Sequence, residues 1–359
     1  MKSRSDIKIF IVGGGEIGRS LAGQLSRDGY ELTLIDRNQD VVKSLSNSFD
    51  IICFEGNGAS YTTLQELSAG KTESDELNIL SCMTAHMMGA KHTIARIMDV
   101  DYARQNHFYK DKLGLSMIIN PELATALEIF RLLRFPLATR VETFARGRAE
   151  LVQINVRNES PLIGHSLMEV KQGMGMNVLI CAIVRDGEAF VPKGNTVISR
   201  GDILYMTGAA DEFRKSFKKI KLPVKPLQSV MIAGGGRIAY YLAEAVLEQG
   251  AKVTRIEKNK VMATEVCDDA LAYFDSMSQS DIENTDAFIT ITDNDEYNLV
   301  AAMYGESQGI SKVISRIAAK SRLKVLPEGS KICTISREDV AADRILGYSR
   351  SLLNAEDND

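Results

Sequence analysis

Two short stretches of this 359-residue chain carry the residue types needed to hold an anionic, sugar-bearing ligand. In the first, an apolar run over residues 7–12 meets Gly13-Gly14-Gly15-Glu16-Ile17-Gly18. An amphipathic stretch through Leu21 and Leu25 follows, ends at Asp28-Gly29, and leads into Leu32-Thr33-Leu34-Ile35 and then Asp36. The three glycines serve different ends. Gly13 permits a tight turn, Gly15 lets the backbone approach a pyrophosphate, and Gly18 lets helix and strand pack closely. A helix that begins there offers unpaired N–H groups and a positive dipole end to phosphates. Asp36, read as an accessible carboxylate, can accept from ribose hydroxyls, and its charge disfavours a 2′-phosphate, so NAD or NADH is expected over NADP. The second stretch is Gly234-Gly235-Gly236-Arg237-Ile238-Ala239, with Glu257 as the acid. Alanine is an allowed small residue at its last position, and Arg237 adds positive charge at the helix start.

The elements that must position these residues occur twice. Gly13 and Gly234 lie 221 positions apart, as do Asp36 and Glu257. Ser74-Asp75-Glu76-Leu77-Asn78 returns as Asn294-Asp295-Glu296-Tyr297-Asn298, and the run ending in Arg96-Ile97 returns as the run ending in Arg316-Ile317, both at an offset of 220. Ordered landmarks at nearly one offset indicate a duplicated domain. Between the copies, short alternating strands separated by Arg185-Asp186-Gly187 and Pro192-Lys193-Gly194-Asn195 predict hairpins, closed by a helix over residues 210–219. Leu222-Pro223-Val224-Lys225-Pro226 predicts a stiff linker. The expected architecture is α/β: two Rossmann-type parallel-sheet domains, residues 7–140 and 227–350, flanking a small α+β module over 141–222, with an acidic tail at 351–359.

Composition restricts the partners. Lys plus Arg is 43 and Asp plus Glu is 47, a net charge of -4, which gives no reason to expect nucleic-acid binding. No apolar run is long enough to span a bilayer, so action at a membrane requires a partner there. Cys53, Cys82, Cys181, Cys267 and Cys333 are scattered, which predicts reduced, mostly buried thiols, and the four histidines make no zinc-like spacing with them. Met87, Met88 and Met98 read as core filler. Asp75-Glu76 and Asp295-Glu296 are either helix-start carboxylates favoured by the dipole or ligand contacts. Arg96 and Arg316 are either surface arginines or phosphate contacts.

With these landmarks the chain resembles the RCK, or KTN, domains that regulate potassium conductance, and within them the peripheral nucleotide-binding subunits of Trk potassium-uptake systems (TrkA type). The motif Thr292-Asp293-Asn294-Asp295-Glu296-Tyr297-Asn298 and the intervening module, which resembles the family's ligand-sensing subdomain, are its most specific parts. The resemblance implies a regulatory, non-enzymatic protein without a pore of its own. It implies docking on the cytosolic face of a potassium-translocating Trk or Ktr membrane subunit, assembly into a homo-oligomeric ring, and NAD(H), with ATP or ADP as further ligands. It implies contact with nucleotide through Gly13, Gly14, Gly15, Glu16, Ile17, Gly18, Asp36 and Arg37. Asn57 would lie near the adenosine and Arg96 near the phosphates; in the second copy the set is Gly234, Gly236, Arg237, Ile238 and Glu257.

The sequence departs from that pattern in three places. Gly70-Lys71-Thr72-Glu73-Ser74 leaves no room in the first copy for the apolar strand that residues 287–292 supply in the second. Phe274-Asp275-Ser276-Met277-Ser278-Gln279 lacks the glycine turn seen at residues 56–58, and no second sensing module follows Tyr348. Two other functions share the fingerprint: an NAD-dependent oxidoreductase, for which the module offers only His165 as an acid or base, and a free-standing nucleotide sensor.

Overall fold

Parallel strands buried on both faces need helices returning the chain across them, and the alternation of apolar runs with amphipathic stretches builds that arrangement here. The computed structural model describes residues 7–57, 75–99, 112–135, 137–144, 149–158, 160–220, 227–256, 284–327 and 330–356. Residues 70–74, the 222–226 linker, Glu257, Cys267 and residues 274–279 lie outside these. The chain divides into two compact units, Met1–Thr125 with Ile335–Asp359, and Ala126–Thr334.

In the first unit, β1 (Lys8–Val12), β2 (Glu31–Asp36) and β3 (Ile52–Glu55) form a parallel sheet in the order β1-β2-β3. Helices α1 (Glu16–Arg27) and α2 (Gln39–Ser48) make the crossovers. Helix α3 (Asp75–Met87) leads to β4 (Ile94–Arg96), which pairs in parallel with β5 (Met117–Ile119) as a separate two-stranded piece. Helix α4 (Pro121–Arg134) follows. The last described helix, α9 (Arg337–Glu356), returns to this unit: Ala341, Ala342, Ile345 and Leu346 join Ile11, Leu21, Leu25 and Leu34 in one core. The residues expected as a tail are therefore helical as far as Glu356, because α9 has an apolar face to bury.

The second unit holds an antiparallel sheet and a parallel one. The antiparallel sheet, in the order β6-β7-β10-β8-β9, comprises β6 (Ala138–Phe144), β7 (Ala149–Asn155), β8 (Leu179–Arg185), β9 (Glu188–Phe190) and β10 (Ile203–Gly208). The β8–β9 hairpin turns on Asp186 and Gly187 at φ 51° and 83°, both left-handed, as a two-residue turn of this kind requires. Helices α5 (Leu167–Gln172), opened by a capping box of Ser166 and Glu169, and α6 (Ala210–Lys219) complete the module. Arg185 holds the fully buried Asp202 in a two-pronged pair of 2.7 and 2.8 Å that pins β8 to the start of β10.

The parallel sheet has the order β12-β11-β13-β14-β15 and comprises β11 (Ser229–Ala233), β12 (Lys252–Ile256), β13 (Ala287–Thr290), β14 (Lys312–Arg316) and β15 (Cys333–Ile335). Helices α7 (Arg237–Glu248) and α8 (Asp295–Ser307) cross over. Strand β13 is buried along its whole length and sits between β11 and β14. Gly305 of α8 lets that helix close on it, since a Cβ there would stand 2.5 Å from the ring of Phe288.

Two expectations about side chains fail. Met87 and Met88 are not core filler: they are 85% and 42% exposed, because they close α3 beside the left-handed turn at Gly89. Of the described cysteines, all free, only Cys333 is fully buried; Cys53, Cys82 and Cys181 are partly buried, Cys53 and Cys82 against core clusters. Burial still pushes the Cys82 thiol up to about 12, with a lesser opposing effect from Thr93.

Candidate functional site

The first glycine turn is held by backbone geometry and by one carboxylate. Gly13 sits at φ 99° and donates to the Ile35 carbonyl at 2.9 Å, so the chain leaves β1 through a conformation that favours glycine. A Cβ on Gly18 would meet the Gly13 carbonyl at 1.9 Å, so the helix approaches its strand closely there. Gly15 differs from both: at φ -64° and ψ -171° it is ordinary extended backbone, and nothing lies within 4 Å of where its Cβ would be. Neither the fold nor its own conformation requires glycine at that position. The open space lies at the N-terminus of α1, whose first amides lack intrahelical partners.

The second turn repeats this geometry. Gly234 sits at φ 131°, with a would-be Cβ 2.8 Å from the Ile291 carbonyl, and Gly236 has φ -71°, ψ -175° and nothing within 4 Å. Ala239, fully buried, takes the place of Gly18, and Ile238 packs inward at 6% exposure. Arg237 is exposed at the first helical position. Two open, unstrained glycines thus stand at two equivalent helix starts, each beside amides without intrahelical partners.

Asp36 ends β2 where the sequence places it, but its accessibility is corrected. The residue is fully buried; one carboxylate oxygen accepts from the Gly14 amide at 2.7 Å and the other from the Asn38 amide at 2.9 Å. It staples the glycine turn to the start of α2, so Asp36→Ala removes two main-chain bonds and costs fold stability as well as any ligand contact. Arg37 and Asn57, from the ends of β2 and β3, are brought together by a hydrogen bond from the guanidinium to the amide oxygen. Ile17 packs against the first core. Arg96 ends β4, and its carbonyl accepts from Asn78 at 2.8 Å.

The paired acidic motifs prove to be strand-end staples. Asp75 accepts from the Met98 and Asp99 amides at 2.9 and 2.7 Å, and Asp295 accepts from the Ala318 and Ala319 amides at 3.0 and 2.9 Å. Asn298 bonds to Thr292 and to the Arg316 carbonyl, tying the ends of β13 and β14. Arg316 is no surface arginine: it is 8% exposed, donates to the Thr292 carbonyl and to Asp293, and its buried Nε has no partner among the described residues. Burial works to raise the Asp295 carboxyl, but the Ala319 and Ala318 amides and Arg322 outweigh it and hold it below the ordinary carboxylate range.

Three residues beside the first turn escaped the sequence reading. Arg337, which opens α9, donates to Glu16 at 3.0 Å, to Glu122 at 3.3 Å and to Glu338 at 2.9 Å. Glu122 and Glu338 stand at matching places after β5 and β15, in Asn120-Pro121-Glu122 and Ser336-Arg337-Glu338. Carrying the repeat comparison one element further would have exposed them.

The TrkA-N domain family matches residues 9–121 and, a second time, residues 230–334. The chain belongs to the TrkA-N domain family. Between the two matches the TrkA-C domain family matches residues 151–221. Among its relatives, the Trk system potassium uptake protein TrkA of Vibrio alginolyticus is 28% identical over 365 residues, covering 96% of this chain and 79% of the relative. The Trk system potassium uptake protein trkA homolog 1 of Methanosarcina mazei is 28% identical over 333 residues, covering 86% and 81%. Among solved structures, the GsuK RCK domain superposes with TM-score 0.67 at 17% identity, over 97% of this chain and 78% of that one. The GsuK channel bound to NAD gives TM-score 0.65 at 17% identity, over 95% and 63%. These likenesses establish the RCK fold. Among the described residues no helix is long and apolar enough to cross a membrane.

Proposed function

We propose that this chain is a regulatory subunit that binds NAD(H), with ADP or ATP as competing ligands, and gates a potassium-translocating membrane partner from its cytosolic face. The observation that carries the nucleotide reading is the pair of open cradles at Gly15 and Gly236, where the protein leaves room for a side chain and supplies none. A dinucleotide pyrophosphate fits such a space, with the helix amides as donors. The Arg37–Asn57 pair stands beside the adenosine half, and the buried Asp36 supports the site by holding the glycine turn against the start of α2.

The potassium reading is supported by relatives that are named as Trk system potassium uptake proteins. A GsuK channel solved with NAD and another GsuK structure solved with ADP support the ligand class. Assembly as a homo-oligomeric ring belongs to the same reading. A ligand shifts a gating equilibrium only by its differential affinity for the two states, and about 1–3 kcal/mol of such coupling changes activity five-fold or more.

The test is potassium uptake in cells that lack their own regulatory subunit and carry this chain with its cognate pore. Gly15→Trp and Gly236→Trp fill the cradles without striking protein atoms at Cβ, so both variants should fold, lose NADH binding by calorimetry and lose nucleotide-dependent uptake. Uptake that needs the pore yet ignores both substitutions would sink the gating proposal.

A further inference from the structure

The two cradles differ in the charge set beside them. The residue that follows the open glycine is Glu16 in the first copy and Arg237 in the second. A carboxylate in the first turn of a helix offers the dipole the negative charge that a phosphate would otherwise bring, and so competes with it. Glu16 is 67% exposed at its side chain and does not stand alone. Glu122 and Glu338, 9% and 7% exposed at theirs, converge with it on the single guanidinium of Arg337. One oxygen of Glu122 is buried without a hydrogen-bond partner among the described residues. Among the described residues, three carboxylates answered by one arginine leave the phosphate end of the first cradle net negative.

Arg337 is fixed from behind as well. It opens α9, and α9 is tied along α1 by Ser20 donating to Asp339 at 2.9 Å and by Arg350 donating to Asp28 at 2.7 Å. The guanidinium therefore cannot drift from the cluster without disturbing a helix that shares the first core.

Resting on the nucleotide reading above, we propose that Arg337 is a specificity-determining residue of the first site. It keeps the phosphate end just tolerant of anions, so that the site accepts a dinucleotide, with its bridging pyrophosphate, and disfavours a nucleoside triphosphate, whose terminal phosphate is more highly charged. Arg337 is a positioning residue, acting through Glu16 and Glu122, and its effect scales with ligand charge.

The experiment is calorimetric titration of the full chain carrying Gly236→Trp, so that the first site is read alone. NADH and ATP are compared without divalent cations, at low and high salt. Arg337→Gln should weaken NADH by about five- to ten-fold and ATP by about fifty-fold or more, with both losses shrinking in high salt. Glu16→Gln, at an exposed position that leaves the fold alone, should strengthen ATP by about three- to ten-fold and NADH by less. Arg337→Lys, which keeps the charge, should restore most of the ATP-to-NADH ratio. A ratio that stays within about two-fold in Glu16→Gln and in folded Arg337→Gln overturns the proposal and leaves the nucleotide reading standing. A parent chain that binds neither ligand overturns both.

Discussion

Phe10 and Met231 hold equivalent places, 221 residues apart, in the first strand of each copy, yet Phe10 is 54% exposed and Met231 is 2% exposed. Both strands read as apolar runs, and the difference lies in their neighbours. Strand β11 is flanked by β12 and β13, whereas among the described residues β1 pairs only with β2. The helices record the same contrast. Gly305 of α8 makes room for Phe288 of β13, and its counterpart in α3, with no such ring described beside it, is Ala85. Burial at the centre of a parallel sheet thus belongs to the set of strands; a central-strand sequence does not secure it alone.

The largest test of this contrast is the strand itself. Phe288→Ala should cost about 3–5 kcal/mol and Met231→Ala about 2–4 kcal/mol, as large-to-small changes in a packed core do. Phe10→Ala should cost less than about 1 kcal/mol, since that side chain is mostly in water already. Denaturant unfolding of the three variants measures the spread, and a Phe10→Ala loss equal to that of Met231→Ala would break the comparison. Next, Gly305→Ala should destabilise by about 1–3 kcal/mol through overpacking against Phe288, whereas Ala85→Gly should cost only the helix-propensity difference of about 1 kcal/mol.

A smaller effect sharpens the comparison of the staples. Because the folded Asp295 carboxyl is depressed, its stabilisation is fully present above the ordinary carboxylate value of about 4 and is lost as pH falls through the lowered folded value. Asp295→Asn should cost about 1–2 kcal/mol at neutral pH and nearly nothing at the acid end, so thermal melts against pH should converge there. The smallest effect is expected at the exposed Arg37–Asn57 pair: Arg37→Ala should change stability by less than about 0.5 kcal/mol while weakening NADH measurably in a calorimetric titration.

Much of the fold was legible because its signals are local. The left-handed turns at Gly13 and Gly234, the hairpin at Asp186-Gly187 and the helix at residues 210–219 each depend on neighbours in sequence, and the repeat showed that the landmarks occur twice in the same order along the chain. Strand β6 and helix α5 were not read, since Ala138–Phe144 carries no clean alternation and Leu167–Gln172 is too short for a period to show. At the site, the residue types were readable and their use was not. Asp36 looked like a ligand group, and its burial depends on the Gly14 and Asn38 amides it accepts. Asp75 and Asp295 are explained only by amides 23 and 24 residues further along. Arg337 meets Glu16 across 321 residues, a separation no motif spans.

That separation also sets a timetable. Ser20 and Asp339 are 319 residues apart, and Ala341, Ala342, Ile345 and Leu346 fill the core begun by Ile11 and Leu21. At roughly 5–20 residues per second of synthesis, the first sheet must wait on the order of 15–60 seconds for the helix that covers α1. Meanwhile the later unit, whose sheets close among residues nearer one another, can fold and dock its strands. The part of the protein made first is therefore the part finished last. Its apolar face on α1 is what a nascent-chain chaperone would hold, and pulse-labelled proteolysis during translation should find residues 16–27 still cut until α9 has been made.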